Sequence, residues 1–204
     1  KSFYSIGRSV SVETSELAPK RAVCHDKKAC QECVSAGVRE CDVEANLIVR
    51  HGVPVKAVNI EAFFSQFGDT MKASLKDRCD LMLYDDVQHK IAFCDMTCSM
   101  EKYIQPFDNT SGHHEGKRAK AYQQMKESIN KLAAVPELNS AMSSYSYRRA
   151  VFAVRLKAGK SRDAVVQSNM QAFSSAPWSV SNAKTDMGNG FFFETVTYPQ
   201  EYIW

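Results

Sequence analysis

The stretch Cys79–Ser99, "CDLMLYDDVQHKIAFCDMTCS", constrains this chain more than any other. Two apolar runs, LMLY and KIAFC, flank the polar segment DDVQH. Runs of this length, separated by turn formers, predict two adjacent strands of a hairpin buried on both faces. Asp85 and Asp86 then fall in the turn. In an antiparallel hairpin the start of the first strand and the end of the second meet at one edge. Asp80, just ahead of the first strand, is thereby carried toward Asp95, fifteen positions later near the end of the second. Neighbouring carboxylates repel unless a cation joins them or one takes a proton. On the residues alone, the pair is either a divalent-metal site or two solvated acids where strands meet water.

The flanking segments extend the pattern. "NIEAFFSQFGDTMKASL" predicts a helix capped by Asn59, with Ile60, Phe63, Phe64, Phe67, Met71 and Leu75 in one apolar stripe. Gly68 weakens it by about 1 kcal/mol relative to Ala. "NTSGHHEG" reads as a loop, and "KRAKAYQQMKESINKLAAV" as a helix ended by Pro136. A strand is expected over 150–156, a short helix in "SRDAVVQSNMQAFSS", and a final strand pair from "PWSVSN" and "GFFFETVTY" around "DMGNG". Upstream, "RSVSVETS" reads as a short strand, and "NLIVRHGVPVKAV" as two apolar runs about a Gly52-Val53-Pro54 turn. Alternation of strands and helices predicts an α/β fold, a mixed central sheet flanked by helices, in a single domain over 1–204. The 204 residues suffice to bury a core without covalent staples.

No run approaches eighteen apolar residues, and the start "KSFYSIGRSVSVETSE" lacks a signal-peptide core, so the expectation is a cytoplasmic protein without a membrane span. The seven cysteines are then thiols, metal ligands or redox groups. Within the Cys-rich segment 20–45, Cys24, Cys30, Cys33 and Cys41 offer a structural Zn²⁺ set with His25 as a substitute, or else free thiols or a redox pair. Cys94 and Cys98 suit strand packing. His113 and His114 read as part of a polar loop or as a metal or general-base element. Phe191, Phe192, Phe193 and Trp204 suit either a core or base stacking. From Lys117 to Arg162 the chain carries eleven basic residues against two acidic ones, Glu127 and Glu137. Such a segment suits a polyanion or a solvated face. Arg118, Lys126, Arg148, Arg149, Arg155 and Lys157 are the candidate nucleic-acid contacts.

Asp80, the hairpin, "CDMT" and a basic helix with "KAYQQMKESI" together resemble the core of the PD-(D/E)XK nuclease superfamily, over roughly Asn59 to Leu156. The resemblance implies a restriction-endonuclease-like core over 59–156, with the Cys-rich segment as an N-terminal insertion. It implies Asp80 as the first ligand of Mg²⁺ or Mn²⁺ and Asp95 as the second acid. Thr97 stands where the family carries its lysine. Lys117 or Lys120 would then supply the cation from the following helix, Gln123 or Gln124 the helix polar position, and Glu61 a third acid. The strand that the family places between the first helix and the Asp80 strand is not evident, and "NLIVR" would supply it from upstream. The implied activity is metal-dependent phosphodiester cleavage of DNA or RNA, within a prokaryotic defence or mobile-element system. Two alternatives stand beside it. One is a catalytically inactive nuclease-fold interaction or immunity protein, with a protein partner or a second copy of itself. The other is a zinc-held binding module in which the acids have no role.

Overall fold

The computed structural model describes residues 12, 14–17, 22–24, 38–39, 46–66, 78–156 and 184–204. Its strands in chain order are β1 (Thr14–Glu16), β2 (Ala22–Cys24), β3 (Val38–Arg39), β4 (Leu47–Arg50), β5 (Lys56–Asn59), β6 (Leu81–Asp85), β7 (Lys90–Ser99), β8 (Phe107–Asn109), β9 (Gly112–His114), β10 (Tyr147–Leu156), β11 (Thr185–Gly188), β12 (Phe191–Thr197) and β13 (Glu201–Ile203). The helices are α1 (Ile60–Ser65), α2 (Gly116–Ala133) and α3 (Pro136–Ser143). Among the described residues the main sheet has the order β1-β5-β6-β7-β10-β12-β11, and a second sheet has the order β13-β4-β2-β3. β5, β6 and β7 run antiparallel, whereas β7, β10 and β12 are mutually parallel. The protein is therefore α/β with a large mixed sheet and few helices.

The hairpin forms as its pattern predicts. Leu81 and Leu83 face the second sheet, while Met82 and Tyr84 face the helices. β7 alternates likewise, with Ile91 and Phe93 under the helices and Ala92, Cys94 and Met96 on the opposite side. Phe93 packs edge-on against Phe191 at 5.5 Å. Phe64, Phe93, Phe152, Phe191 and Phe193 have almost no exposed surface. Each such side chain contributes about 1.5–3 kcal/mol by leaving water. The helices thus cover one face of the main sheet, and the second sheet covers the other.

Several local readings are corrected. The strand beside β6 is β5, KAVN, whereas NLIVR forms β4 in the second sheet. "NTSGHHEG" is not wholly irregular, because β8 and β9 pair across it and Ser111 N–H caps onto Asn109 Oδ1 at 2.7 Å. Pro136 does more than end a helix; it sits in the first turn of α3, where its missing N–H costs no hydrogen bond. β12 pairs antiparallel with β11, formed by the "TDMG" residues, and parallel with β10. The turn joining them takes positive φ at Gly188, Asn189 and Gly190. Phe67, Gly68, Met71, Leu75 and the segments "SRDAVVQSNMQAFSS" and "PWSVSN" lie outside the described residues, as does most of "RSVSVETS". No helix among the described residues is long and apolar enough to cross a membrane.

Candidate metal centre

The carboxylate edge is built by β6, β7, α1 and α2. Asn59 opens α1 by accepting Ala62 N–H at 2.9 Å, which fixes Glu61 in its first turn. The amides of Ile60 and Glu61 in turn donate to the Asp80 carbonyl, at 3.1 and 3.5 Å. Asp80 N–H donates to the Cys94 carbonyl at 3.1 Å, and its Oδ2 accepts Met96 N–H at 2.7 Å. The Asp80 carboxylate therefore lies against the backbone directly after Asp95. Strand alternation puts Asp95 on the same face as Phe93, under the helices, and Phe152 of β10 is its register partner. Asp95 is 8% exposed.

α2 closes this edge from above. Its entry is set by Arg118 N–H donating to the Ile104 carbonyl at 3.0 Å. Gly116 takes φ +82, where a Cβ would overlap the Gln105 carbonyl. Further along, Ser128 Oγ accepts the Cys79 amide at 3.0 Å and donates to the Gln124 carbonyl at 2.9 Å. Gln124 Nε2 donates to the Arg78 carbonyl at 3.1 Å. Two side chains of one helix thus grip the two residues that precede Asp80. Burial pushes the Cys79 thiol well above its usual range, and the Asp95 and Asp80 charges push it the same way, against the Ser128 hydrogen bond. The raised thiol leaves Cys79 protonated and unfit as a nucleophile.

The remaining candidates divide. Glu61 reaches the edge but pairs with Arg78 Nη2 at 3.3 Å. Lys117 and Lys120 are exposed in the first turns of α2, on the same stripe as Gln124 by their three- and four-residue spacing. Thr97 is half-buried two places beyond Asp95 on the same strand face. Arg78 was missed by sequence reasoning, although it stands only two residues before Asp80. Arg118 lies over the Phe193 ring at 4.9 Å, and Lys126 over Tyr122 at 5.8 Å, on the other flank of α2.

The basic strand does not present a single track. Arg148 and Arg149 are consecutive, so their side chains leave β10 on opposite faces. Arg149 is turned inward and corrects its reading as a phosphate contact: it is 9% exposed, lies over Tyr147 at 3.9 Å and pairs with Glu194 at 3.7 Å. Glu194 also accepts the Tyr202 hydroxyl at 3.0 Å. Arg148 packs against the Gly190 turn, and Arg155 over Tyr198 at 4.7 Å. Lys157, Cys30, Cys33 and Cys41 lie outside the described residues, and of Cys24 only the β2 backbone is described. His113 pairs with Asp108 at 2.9 Å and His114 with Asn109 at 3.1 Å on the exposed β8–β9 hairpin.

The hairpin register places Asp80 opposite Asp95, and a pair of carboxylates so placed would suit a hard cation that takes oxygen ligands and keeps several waters. No group of three or more His, Cys, Asp or Glu side chains able to hold a metal occurs among the described residues. An apolar cavity of about 340 Å³ also lies on the helix-covered face, walled by Phe63, Met82, Tyr84, Leu132, Met142 and Tyr145. None of its lining side chains is charged, so it offers nothing to metal or phosphate chemistry. Comparison with known proteins finds no matching family model, no matching curated protein and no matching solved structure.

Proposed function

We propose that the protein is a metal-dependent phosphodiesterase of PD-(D/E)XK type acting on DNA or RNA, with Asp80 and Asp95 as ligands of Mg²⁺ or Mn²⁺. The observation that carries this reading is the Asp80 carboxylate held at 2.7 Å by the amide of the residue after Asp95. The strand order supports it too, with an antiparallel hairpin bearing both acids followed by a helix and a strand parallel to β7. A divalent cation held there would supply Lewis acidity and an activated water. Asp80 is aimed by the Met96 amide, and Asp95 is fixed by the central strand that carries it. Gln124 and Ser128 hold the backbone that leads into Asp80. Lys117 and Lys120 bring positive charge along α2 toward a polyanionic substrate.

The test is cleavage of mixed single- and double-stranded DNA and RNA with Mn²⁺, wild type against Asp95→Ala and Asp80→Ala. Activity in the wild type and background in both variants is expected. Equal activity in wild type and Asp95→Ala refutes the assignment. A second reading, a non-catalytic interaction protein on the same fold, is favoured by Thr97, which brings no charge where a lysine is expected. Binding of Mn²⁺ or nucleic acid without cleavage is its signature.

A further inference from the structure

We infer that Arg78 is the catalytic cation of this edge, the group that binds the scissile phosphate in place of the lysine that Thr97 lacks. The inference rests on the phosphodiesterase reading and adds to it a residue that sequence pattern did not single out. Three observations support it. The first is position: Arg78 lies two residues before Asp80, and its carbonyl is gripped by Gln124 at 3.1 Å. Its backbone is thus anchored to the helix that covers the carboxylates. The second is direction. Its guanidinium reaches Glu61 on α1, and α1 packs on the same face of the sheet as Asp95, through Ile60 and Phe64. The third is the state of the side chain, only 23% exposed, while Lys117 and Lys120 are exposed. A partly buried guanidinium loses less freedom on engaging a phosphate than an exposed lysine does.

The Glu61 contact explains how the cation is kept without substrate. A carboxylate presents two oxygens to a guanidinium much as a phosphate does. The single Nη2–Oε1 contact at 3.3 Å is longer than a good charge-assisted bond. A phosphodiester seated between the carboxylates and α1 competes for the same fork. In hydrolysis the water oxygen bonds to phosphorus, and the bond from phosphorus to the leaving sugar oxygen breaks. The proton lost by the water passes to solvent, and the leaving oxygen takes a proton from solvent. Negative charge grows on the non-bridging oxygens in the transition state, and a guanidinium there stabilises it more than it stabilises the ground state.

The test compares wild type, R78A and R78K in Mn²⁺-dependent cleavage of a fluorescent oligonucleotide. Binding of the same oligonucleotide is measured in Ca²⁺, and folding is checked by thermal melting. R78A is expected to lower kcat by about 10²–10³-fold, the loss typical of one donor to a developing oxyanion. Its binding in Ca²⁺ changes far less. Added guanidinium chloride restores part of the R78A rate, whereas equimolar sodium chloride does not, a response that a merely structural arginine does not give. R78K, which keeps a charge and most of the packing, retains an intermediate rate. R78A and R78K both within threefold of wild type overturn the role of Arg78 and leave the phosphodiesterase reading intact. A loss in R78A without guanidinium rescue, matched by a comparable loss in melting temperature, also overturns it. Absence of cleavage by the wild type overturns the phosphodiesterase reading, and this inference with it.

Discussion

Ser128→Ala isolates the hydrogen bond by which α2 holds the approach to Asp80. Ser128 and Cys79 are both fully buried, and the Ser128 hydroxyl accepts the Cys79 amide at 3.0 Å. Removing the hydroxyl leaves that N–H with no solvent to turn to, at a cost of about 1–3 kcal/mol. Alanine is the better helix former, which returns about 0.5 kcal/mol. The hydroxyl's own bond to the Gln124 carbonyl lies inside the helix and duplicates a backbone acceptor, so its loss adds little. The net expectation is a loss of about 0.5–2.5 kcal/mol. For a chain of this size that lowers the melting temperature by about 1–10 °C, with the centre near 4 °C. Urea unfolding followed by circular dichroism gives the free energy, and a thermal scan gives the midpoint. Gln124→Ala removes a partly exposed contact to the neighbouring carbonyl and is expected to cost less. Ser128→Ala at or above wild-type stability refutes the reasoning, because the helix would then not depend on the hydroxyl to grip residue 79. The reverse order of the two variants refutes it equally.

Arg149→Met strands Glu194 beneath the main sheet with only the Tyr202 hydroxyl. Breaking one side of a buried pair costs about 3–5 kcal/mol, and the 3.7 Å separation places this case at the low end. Urea melts of the single variants and of Arg149→Met/Glu194→Leu should show the double variant regaining most of the loss; additive losses refute the pairing. Cys79 gives stability a pH dependence. Its folded pKa lies above that of an unfolded thiol, about 8.5. Its contribution is therefore complete below that pH and is lost as pH rises beyond it. The urea midpoint should fall between pH 7 and pH 9.5 more in wild type than in Cys79→Ala, and parallel falls in the two refute the assignment.

The hairpin and α2 were legible because each rests on local periodicity. LMLY and KIAFC alternate between two cores, and Ala121, Met125, Ile129 and Leu132 bury one helical face. The burial of Asp95 follows from the same alternation once a helix is known to cover that face. Arg78 carried no such signal. Its meaning depends on Glu61, seventeen residues earlier, and on Gln124, forty-six later. The inward turn of Arg149 was within reach, since two consecutive arginines in a strand must leave on opposite faces. NLIVR was expected to supply the additional strand of the core from upstream, yet the nearer run KAVN pairs with β6. The β8–β9 pairing rests on three-residue strands, too short for any period to show.

Asp85 was expected in a turn, and it does cap one by accepting the Gln88 amide; it is also buried and accepts Trp204 Nε1 at 2.6 Å across 119 positions. A hairpin closes within about 1–10 μs. Synthesis at about 5–20 residues per second places the indole about 6–24 s behind the carboxylate. Through that interval a nascent chain holds Asp80 and Asp95 on a hairpin whose opposite end still lacks its bolt. For part of the same interval, the edge of β7 that β10 will occupy offers unpaired backbone groups to any passing strand. The carboxylate edge therefore draws on one of the earliest and most local pieces of the fold, and the far end of its hairpin is tied only when Trp204 arrives.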